Sequence, residues 1–239
     1  IANIDVSQIP DAANRHGDAM SLALDANGNG YMFFPSNDYS DVLRLPISNF
    51  KTVGTPARIE LQAANKAGMC MHINRIENSD EYLLSGARVN LLGSTGALSG
   101  MNLSLCDEGL NSKTRLNTNT VAAESDDARL FSFNGARYLL TAPVCFGSTS
   151  TASPGMFVYD LTKGSNTQEA FQLFNDAESH NPAYRFLVGG SGISQPGINT
   201  NYYIEKDAEG NDSVLWLYVG RTESGFAIMK FPAAKEDDD

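Results

Sequence analysis

Apolar residues along this chain come in short consecutive runs rather than in helical stripes. "GYMFFPS" (30–36), "EYLLSGA" (81–87), "RYLLTAP" (137–143) and "LWLYVGR" (215–221) are apolar at neighbouring positions, as strands covered on both faces require. "ARIELQ" (57–62) instead alternates, with Ile59 and Leu61 set against Arg58, Glu60 and Gln62, the pattern of a half-exposed strand. Clusters of Gly, Asn, Asp and Ser separate the runs and read as turns. No segment carries an i, i+3, i+4, i+7 apolar stripe with caps, so the predicted elements are strands.

The runs repeat. Each of the four buried strings has an aromatic residue near its start: Tyr31, Tyr82, Tyr138 and Trp216. Each is preceded by a second string: "AMSLALDANGN" (19–29), "MCMHINRIENSD" (69–80), "ARLFSFNGA" (128–136) and "NYYIEKDAEGN" (201–211). Each is followed by a third: "SDVLRLP" (40–46), "SGMNLSL" (99–105), "PGMFVYDL" (154–161) and "SGFAIMKF" (224–231). Three units add a weaker fourth string, "ARIELQ" (57–62), "TRLNTN" (114–119) and "EAFQLF" (169–174). Four antiparallel strands per unit, buried inside and polar at the rim, describe the blades of an all-β β-propeller of about four four-stranded blades. The blades fall at about 17–62, 68–119, 126–174 and 199–232, within one domain over 1–234. The last unit lacks a fourth string, and "ANIDVSQI" (2–9) has strand character outside every unit. It is therefore expected to pair onto the last blade and close the ring; the alternative is a segment of a larger propeller. The acidic end, 235–239, reads as a disordered tail.

Composition narrows the partners more than the chemistry. With 42% hydrophobic and 19% charged residues, the 239-residue chain can build a sizeable core. A net charge of −11, with 17 scattered basic residues, argues against nucleic acid and against an anionic membrane surface. No apolar run reaches the length of a transmembrane helix, and no charged-then-apolar export segment opens the sequence. Cys70, Cys106 and Cys145 have apolar neighbours and no C-x-x-C spacing, so they read as buried thiols, with one disulfide plus a spare thiol as the alternative.

Function is expected on the connections. The long ones, "GARVNLLGSTGAL" (86–98), "CFGSTSTAS" (145–153) and the insertion over 176–197, are assigned to one face of the ring. The candidate binding residues are Tyr184, Arg185, Phe186 and His180 on the longest insertion, with Thr149 and Ser150 opposite. The alternative is that these loops cap the ring with their rings packed inward. "DANGNG" (25–30) resembles a calcium loop through Asp25, Asn27 and Asn29, but Phe33 and Ser36 stand where the later ligands belong. A plain hairpin turn is the better reading, no cofactor is expected, and calcium is the minor alternative. No G-x-S-x-G, H-E-x-x-H or P-loop is present, and His16, His72 and His180 lie in different units. Asp18, Asp126 and Asp127 precede innermost strands and are the carboxylates that glycosidic chemistry would use.

"DANGNGYMFF" followed by "SDVLRLP" and then "EYLLSGARVNLLG" resembles the uncharacterised propeller-like envelope proteins of gut-dwelling Gram-negative anaerobes. That resemblance implies an exported lipoprotein, anchored through a lipid upstream of the given N-terminus, in an adhesion role or beside an outer-membrane nutrient importer. The expectation is a non-catalytic cell-surface binding or accessory protein that engages a protein complex, a peptide or a glycan through its long-loop face. A propeller-fold glycoside hydrolase or lyase is the first alternative and a structural spacer the second.

Overall fold

Each unit of the repeat folds as a meander in which consecutive strands pair antiparallel, the first two joined by a tight turn. The computed structural model describes residues 5–12, 16, 19–36, 41–61, 72–86, 102–116, 125–143, 155–187, 198–221 and 225–232. The first sheet contains β1 (Ser21–Leu24), β2 (Gly30–Pro35) and β3 (Asp41–Ser48), with β4 (Thr52–Val53) and β5 (Ala57–Glu60) both paired to β3. The second runs β6 (His72–Arg75), β7 (Tyr82–Gly86), β8 (Asn102–Cys106) and β9 (Ser112–Arg115). The third runs β10 (Ser125–Phe133), β11 (Ala136–Pro143), β12 (Gly155–Asp160) and β13 (Tyr184–Leu187), with one helix, α1 (Thr167–Asn175), between the last two. The fourth has β14 (Ile198–Lys206), β15 (Asp212–Arg221) and β16 (Gly225–Pro232). The first strands β1, β6, β10 and β14 lie in succession beside one another. The architecture is a four-bladed β-propeller.

Three apolar seams join the blades. Phe33, Val42 and Leu61 of the first blade meet Ile73, Tyr82 and Leu84 of the second. Leu83, Leu103 and Leu105 on the opposite face of the second blade meet Leu130, Leu139 and Phe157 of the third, together with Phe171 of α1. Phe131, Leu140 and Val158 then meet Leu215, Leu217 and Val219 of the fourth. Side chains along each middle strand point alternately to the two neighbouring blades, which is why those strings are apolar throughout. Burying one such residue as large as Phe33 contributes about 2–3 kcal/mol.

Polar pins near the axis set the blades against one another. Asp127, fully buried on β10, accepts from Asn74 Nδ2 of β6 at 2.8 Å and from the Thr200 N–H of β14 at 2.6 Å. Thr200 Oγ1 donates to the same carboxylate at 3.0 Å, and Arg129 Nε returns a bond to the Thr200 carbonyl at 3.0 Å. Between the first two blades, the Ile73 N–H donates to Ser21 Oγ at 2.9 Å. His72, buried next to this belt, has its pKa lowered by burial, against the pull of the Asp127 charge.

Three expectations are corrected. "EAFQLF" (169–174) is not an outer strand but most of α1, because Asn166 caps it by accepting from the Glu169 N–H at 2.9 Å. Glu169 reaches back to Ser165 N at 2.7 Å, which completes an N-terminal capping arrangement that strand pairing cannot offer. The outer strand of the third blade is therefore β13, and the 176–197 segment is not one continuous loop. At the N-terminus, Val6–Gln8 form a turn of 3₁₀ helix, not strand, and the fourth sheet has three strands among the described residues. Further along, His16 makes an isolated antiparallel bridge to Ser36, and its Nε2 lies 2.8 Å from Asp41 Oδ1. What is described of the N-terminal segment thus ties to the first blade, where Arg58 Nε also donates to Asp41 at 2.7 Å.

Asp127→Ala strands a buried amide N–H and the Asn74 amide, so it is expected to cost about 3 kcal/mol in chemical denaturation. The neutral His72 ring gives a pH dependence with a definite sign. Its folded pKa lies below the ordinary 6.5, so its contribution is complete above that pH and is lost as pH falls through the lower folded value. The melting temperature should therefore drop more between pH 7 and 5 for the wild type than for His72→Asn.

Candidate functional site

The residues expected to bind do not form one loop. Tyr184, Arg185 and Phe186 lie on β13, paired with Val158, Phe157 and Met156 of β12. Alternation on a strand sends them to opposite faces. Tyr184 and Phe186 turn toward the fourth blade, both with ring centroids 5.5 Å from Phe231. Arg185 turns the other way, its guanidinium 5.4 Å from the centre of the Phe157 ring. His180 sits in the connection between α1 and β13, where its Nε2 is 2.8 Å from the Phe174 carbonyl and its ring packs on Phe174 at 4.8 Å. It secures the end of α1. Thr149 and Ser150 lie outside the described residues.

What gathers around Tyr184 is a cleft of about 310 Å³ between the third and fourth blades. Val158, Leu215 and Leu217 form its apolar floor, while Tyr138, Tyr184 and Phe231 supply aromatic walls. Asn134, in the β10–β11 turn, sits at the rim and donates its backbone N–H to Asp212 at 2.7 Å. Tyr184 is 48% exposed, so its ring meets both the cleft and solvent. Burial raises the Tyr138 pKa, with the charge of Asp160 adding to it, so its hydroxyl is a donor at neutral pH. The cleft opens at the end of the blades that carries the β10–β11 turn and the 161–183 connection. Gly86 and Asn102, which end β7 and begin β8, and Pro143 and Gly155, which end β11 and begin β12, lie at the opposite end.

A second cavity, about 560 Å³, lies on the propeller axis. Leu22, Arg75, Arg129 and Tyr203 reach it from the four blades, with Glu77, Lys206 and Asp212 at its margin. Its cationic side chains are each paired with a carboxylate, one inside the cavity and two outside its lining. Lys206 pairs with Asp212, Arg75 bonds Asp80 at 3.0 Å, and Arg129 lies 3.7 Å from Asp127. Of the carboxylates proposed for glycosidic chemistry, Asp127 is engaged in the inter-blade belt. Asp18 and the Asp126 side chain lie outside the described residues.

The Asp25 loop is filled by its own backbone. Asp25 Oδ1 accepts from the Asn27 N–H at 2.9 Å and the Asn29 N–H at 2.8 Å, and these bonds, Asn29's first, hold the carboxyl below its ordinary pKa. The same turn recurs twice. Asp207 accepts from the Asn211 N–H at 2.8 Å, and Asp107 accepts from the Asn111 N–H at 2.9 Å. The fourth residue of each turn has a positive φ: Gly28 (75°), Leu110 (59°) and Gly210 (88°). The third copy, "DEGLN" (107–111), escapes a sequence reading because Leu110 stands where the others have glycine. A left-handed leucine costs about 1–2 kcal/mol, offset here by its full burial in the first seam. Among the described residues, no three His, Cys, Asp or Glu side chains come together as a metal site, and no helix is long and apolar enough to cross a membrane. Cys106 is buried in the first seam, which pushes its thiol up to about 12; Cys70 and Cys145 lie outside the described residues.

A family profile described as a domain of unknown function, DUF4623, matches residues 1–234. The chain belongs to the DUF4623 family. A crystal structure of a DUF4623 protein from Bacteroides eggerthii is 40% identical, with a TM-score of 0.83. The alignment covers 97% of this chain and 49% of that one, so this chain spans about half the length of that relative. A xylan β-1,4-xylosidase from Bacillus halodurans is 14% identical over 89% of this chain and 43% of its own, with a TM-score of 0.42. A prolyl oligopeptidase B from Galerina marginata is 11% identical over 87% and 24%, with a TM-score of 0.35. Those two likenesses carry no argument about function. No curated protein matches the chain.

Calcium at millimolar concentration should leave the melting temperature of this DUF4623 chain unchanged, whereas Asp25→Ala should lower it. A calcium-dependent rise that Asp25→Ala removes would identify a cation loop instead.

Proposed function

We propose that this DUF4623 chain is a non-catalytic binding module of the cell envelope, and that it holds an apolar side chain of a partner peptide in the cleft beside Tyr184. The observation that carries the reading is a half-exposed tyrosine over an aliphatic floor, at the mouth of an otherwise sealed seam. Aromatic walls bind planar and apolar groups with little loss of side-chain entropy. The volume, about 310 Å³, suits one large side chain rather than a whole drug-sized ligand. A sugar ring fits the floor less well, because Val158, Leu215 and Leu217 offer its hydroxyls no partner.

A non-catalytic role is the simpler reading of the acidic residues too. The buried carboxylates Asp127 and Asp41 are committed to inter-strand bonds. Among the described carboxylates with a resolved shift, Asp5, Asp25, Glu169, Asp207 and Asp212, each is lowered, the opposite of what a general acid needs. The envelope location rests on the sequence resemblance, with the Bacteroides relative as a coarse fit in source.

The test is a peptide-display selection run in parallel with a glycan array, on the wild type and on Tyr184→Ala. The expected result is a set of peptides sharing a large apolar residue, with affinity reduced about tenfold or more by Tyr184→Ala and an unchanged melting curve. Glycan binding sensitive to Tyr184→Ala would replace the peptide with a sugar. Binding indifferent to Tyr184→Ala, or no binding in either screen, would remove the cleft from consideration.

A further inference from the structure

Leu22 of β1 and Tyr203 of β14 sit on innermost strands, yet they are 56% and 58% exposed. Both line the axial cavity, whose volume of about 560 Å³ falls in the range of small-ligand sites. The charge of its lining is opposite in sign to that of the chain. Arg75, Arg129 and Lys206 stand there against Glu77 and Asp212, in a protein whose net charge is −11.

The three cations are not equally available. Lys206 is joined to Asp212, while Arg75 donates Nε to the Ser79 carbonyl at 2.9 Å and Nη2 to Asp80 at 3.0 Å. Arg129 differs. Its Nε donates to the Thr200 carbonyl at 3.0 Å, which holds the guanidinium against β14. Its Nη2 lies 3.7 Å from Asp127, beyond hydrogen-bond reach, and that carboxylate already accepts from Asn74 and from the N–H and hydroxyl of Thr200. Neither Nη of Arg129 has a hydrogen-bond acceptor among the described residues. A guanidinium fixed through Nε, with both Nη unspent, is a fork that a carboxylate fills with two parallel bonds.

The rest of the lining indicates what that carboxylate is attached to. Tyr203 and Leu22 offer apolar surface to one face of a ligand, and Ser132, Asn78 and Asn201 offer hydroxyl and amide groups. Asn201 Oδ1 accepts from the Tyr202 N–H at 2.9 Å, so its amide donors are left for the cavity. A ring with a C–H face and a rim of hydroxyls uses both sets. A dianion such as a phosphate ester suits the site less, because Glu77 and Asp212 repel its second charge.

We infer that the axial cavity binds a sugar acid, free or at the end of a chain, with its carboxylate on the two Nη of Arg129 and its ring against Tyr203. Isothermal titration calorimetry with glucuronate, glucose and glucose 6-phosphate tests this, since the three share one ring and differ in charge. Glucuronate should bind about tenfold or more tightly than either of the others, and less tightly as salt is added. Arg129→Lys keeps the charge but loses the fork, and should weaken glucuronate about tenfold. Tyr203→Ala removes an exposed ring and should weaken glucuronate with an unchanged melting curve, which keeps the test decisive if Arg129→Lys loses stability with its Thr200 bond. Methyl glucuronide, blocked at the carbon that would join a chain, separates the two sources. Equal binding assigns a chain end, and loss of binding assigns the free acid. Glucose bound as tightly as glucuronate would overturn the inference, as would a preference for glucose 6-phosphate. So would an affinity indifferent to both variants, or no binding of any of the three at millimolar concentration. Neither variant touches the Tyr184 cleft, so this titration and the peptide selection succeed or fail separately.

Discussion

A single buried carboxylate sets the relation of three blades. Asp127 is fully buried, and a charge there is tolerated only if it is bonded. Its partners come from two other sheets, Asn74 of β6 and Thr200 of β14, at distances that leave little slack. The apolar seams could not do this alone, because hydrophobic burial is non-directional and would accept a blade slid along its neighbour. Hydrogen bonds of 2.6–2.8 Å do not accept it. The belt therefore converts four adhesive sheets into one indexed stack. It also places β14, and with it the part of the Tyr184 cleft floor formed by Leu215 and Leu217.

The rhythm of the fold was legible in the sequence, but its register was not. "YLL" at 82–84 and at 138–140 is the echo that discloses the repeat, and both copies lie on the second strand of a blade. Yet Tyr82 points back to the first blade while Tyr138 points forward to the fourth. Leu83 faces the third blade, whereas Leu139 faces the second. The copies are offset by one residue, and on a strand a one-residue offset exchanges the faces. Nothing in the letters reveals this, because both faces of these strands are apolar and either phase satisfies the pattern.

The candidate site was legible in its residues and misplaced in its geometry. Tyr184 and Phe186 do line or border the cleft, yet as alternate positions on an outer strand, with Arg185 turned to the opposite face. Gly, Asn and Pro on both sides of "YRFL" disguised a strand of four residues as part of a loop. The helix that displaced it had a readable signal in Asn166-Thr167-Gln168-Glu169, a cap residue followed three positions later by glutamate. Against it stood a repeat that had supplied a strand at that point twice before. The depth of the cleft was beyond any sequence reading, since its floor comes from β12 and β15, which are 57 positions apart at Val158 and Leu215 and nearer only in the fold.

The two faces of β15 explain why the cleft depends on the sheet that bears it. Leu215, Leu217 and Val219 lie in the third seam, and Leu215 and Leu217 also look into the cleft. Trp216 between them points to the other face of the sheet, where its Nε1 donates to Glu205 at 2.7 Å and Lys230 lies 5.0 Å from the centre of its ring. β15 is thus held by β14 and β16 on its two edges and by the seam on one face. An apolar group entering beside Tyr184 therefore meets a floor that is already ordered, and little of the binding energy is spent on ordering it.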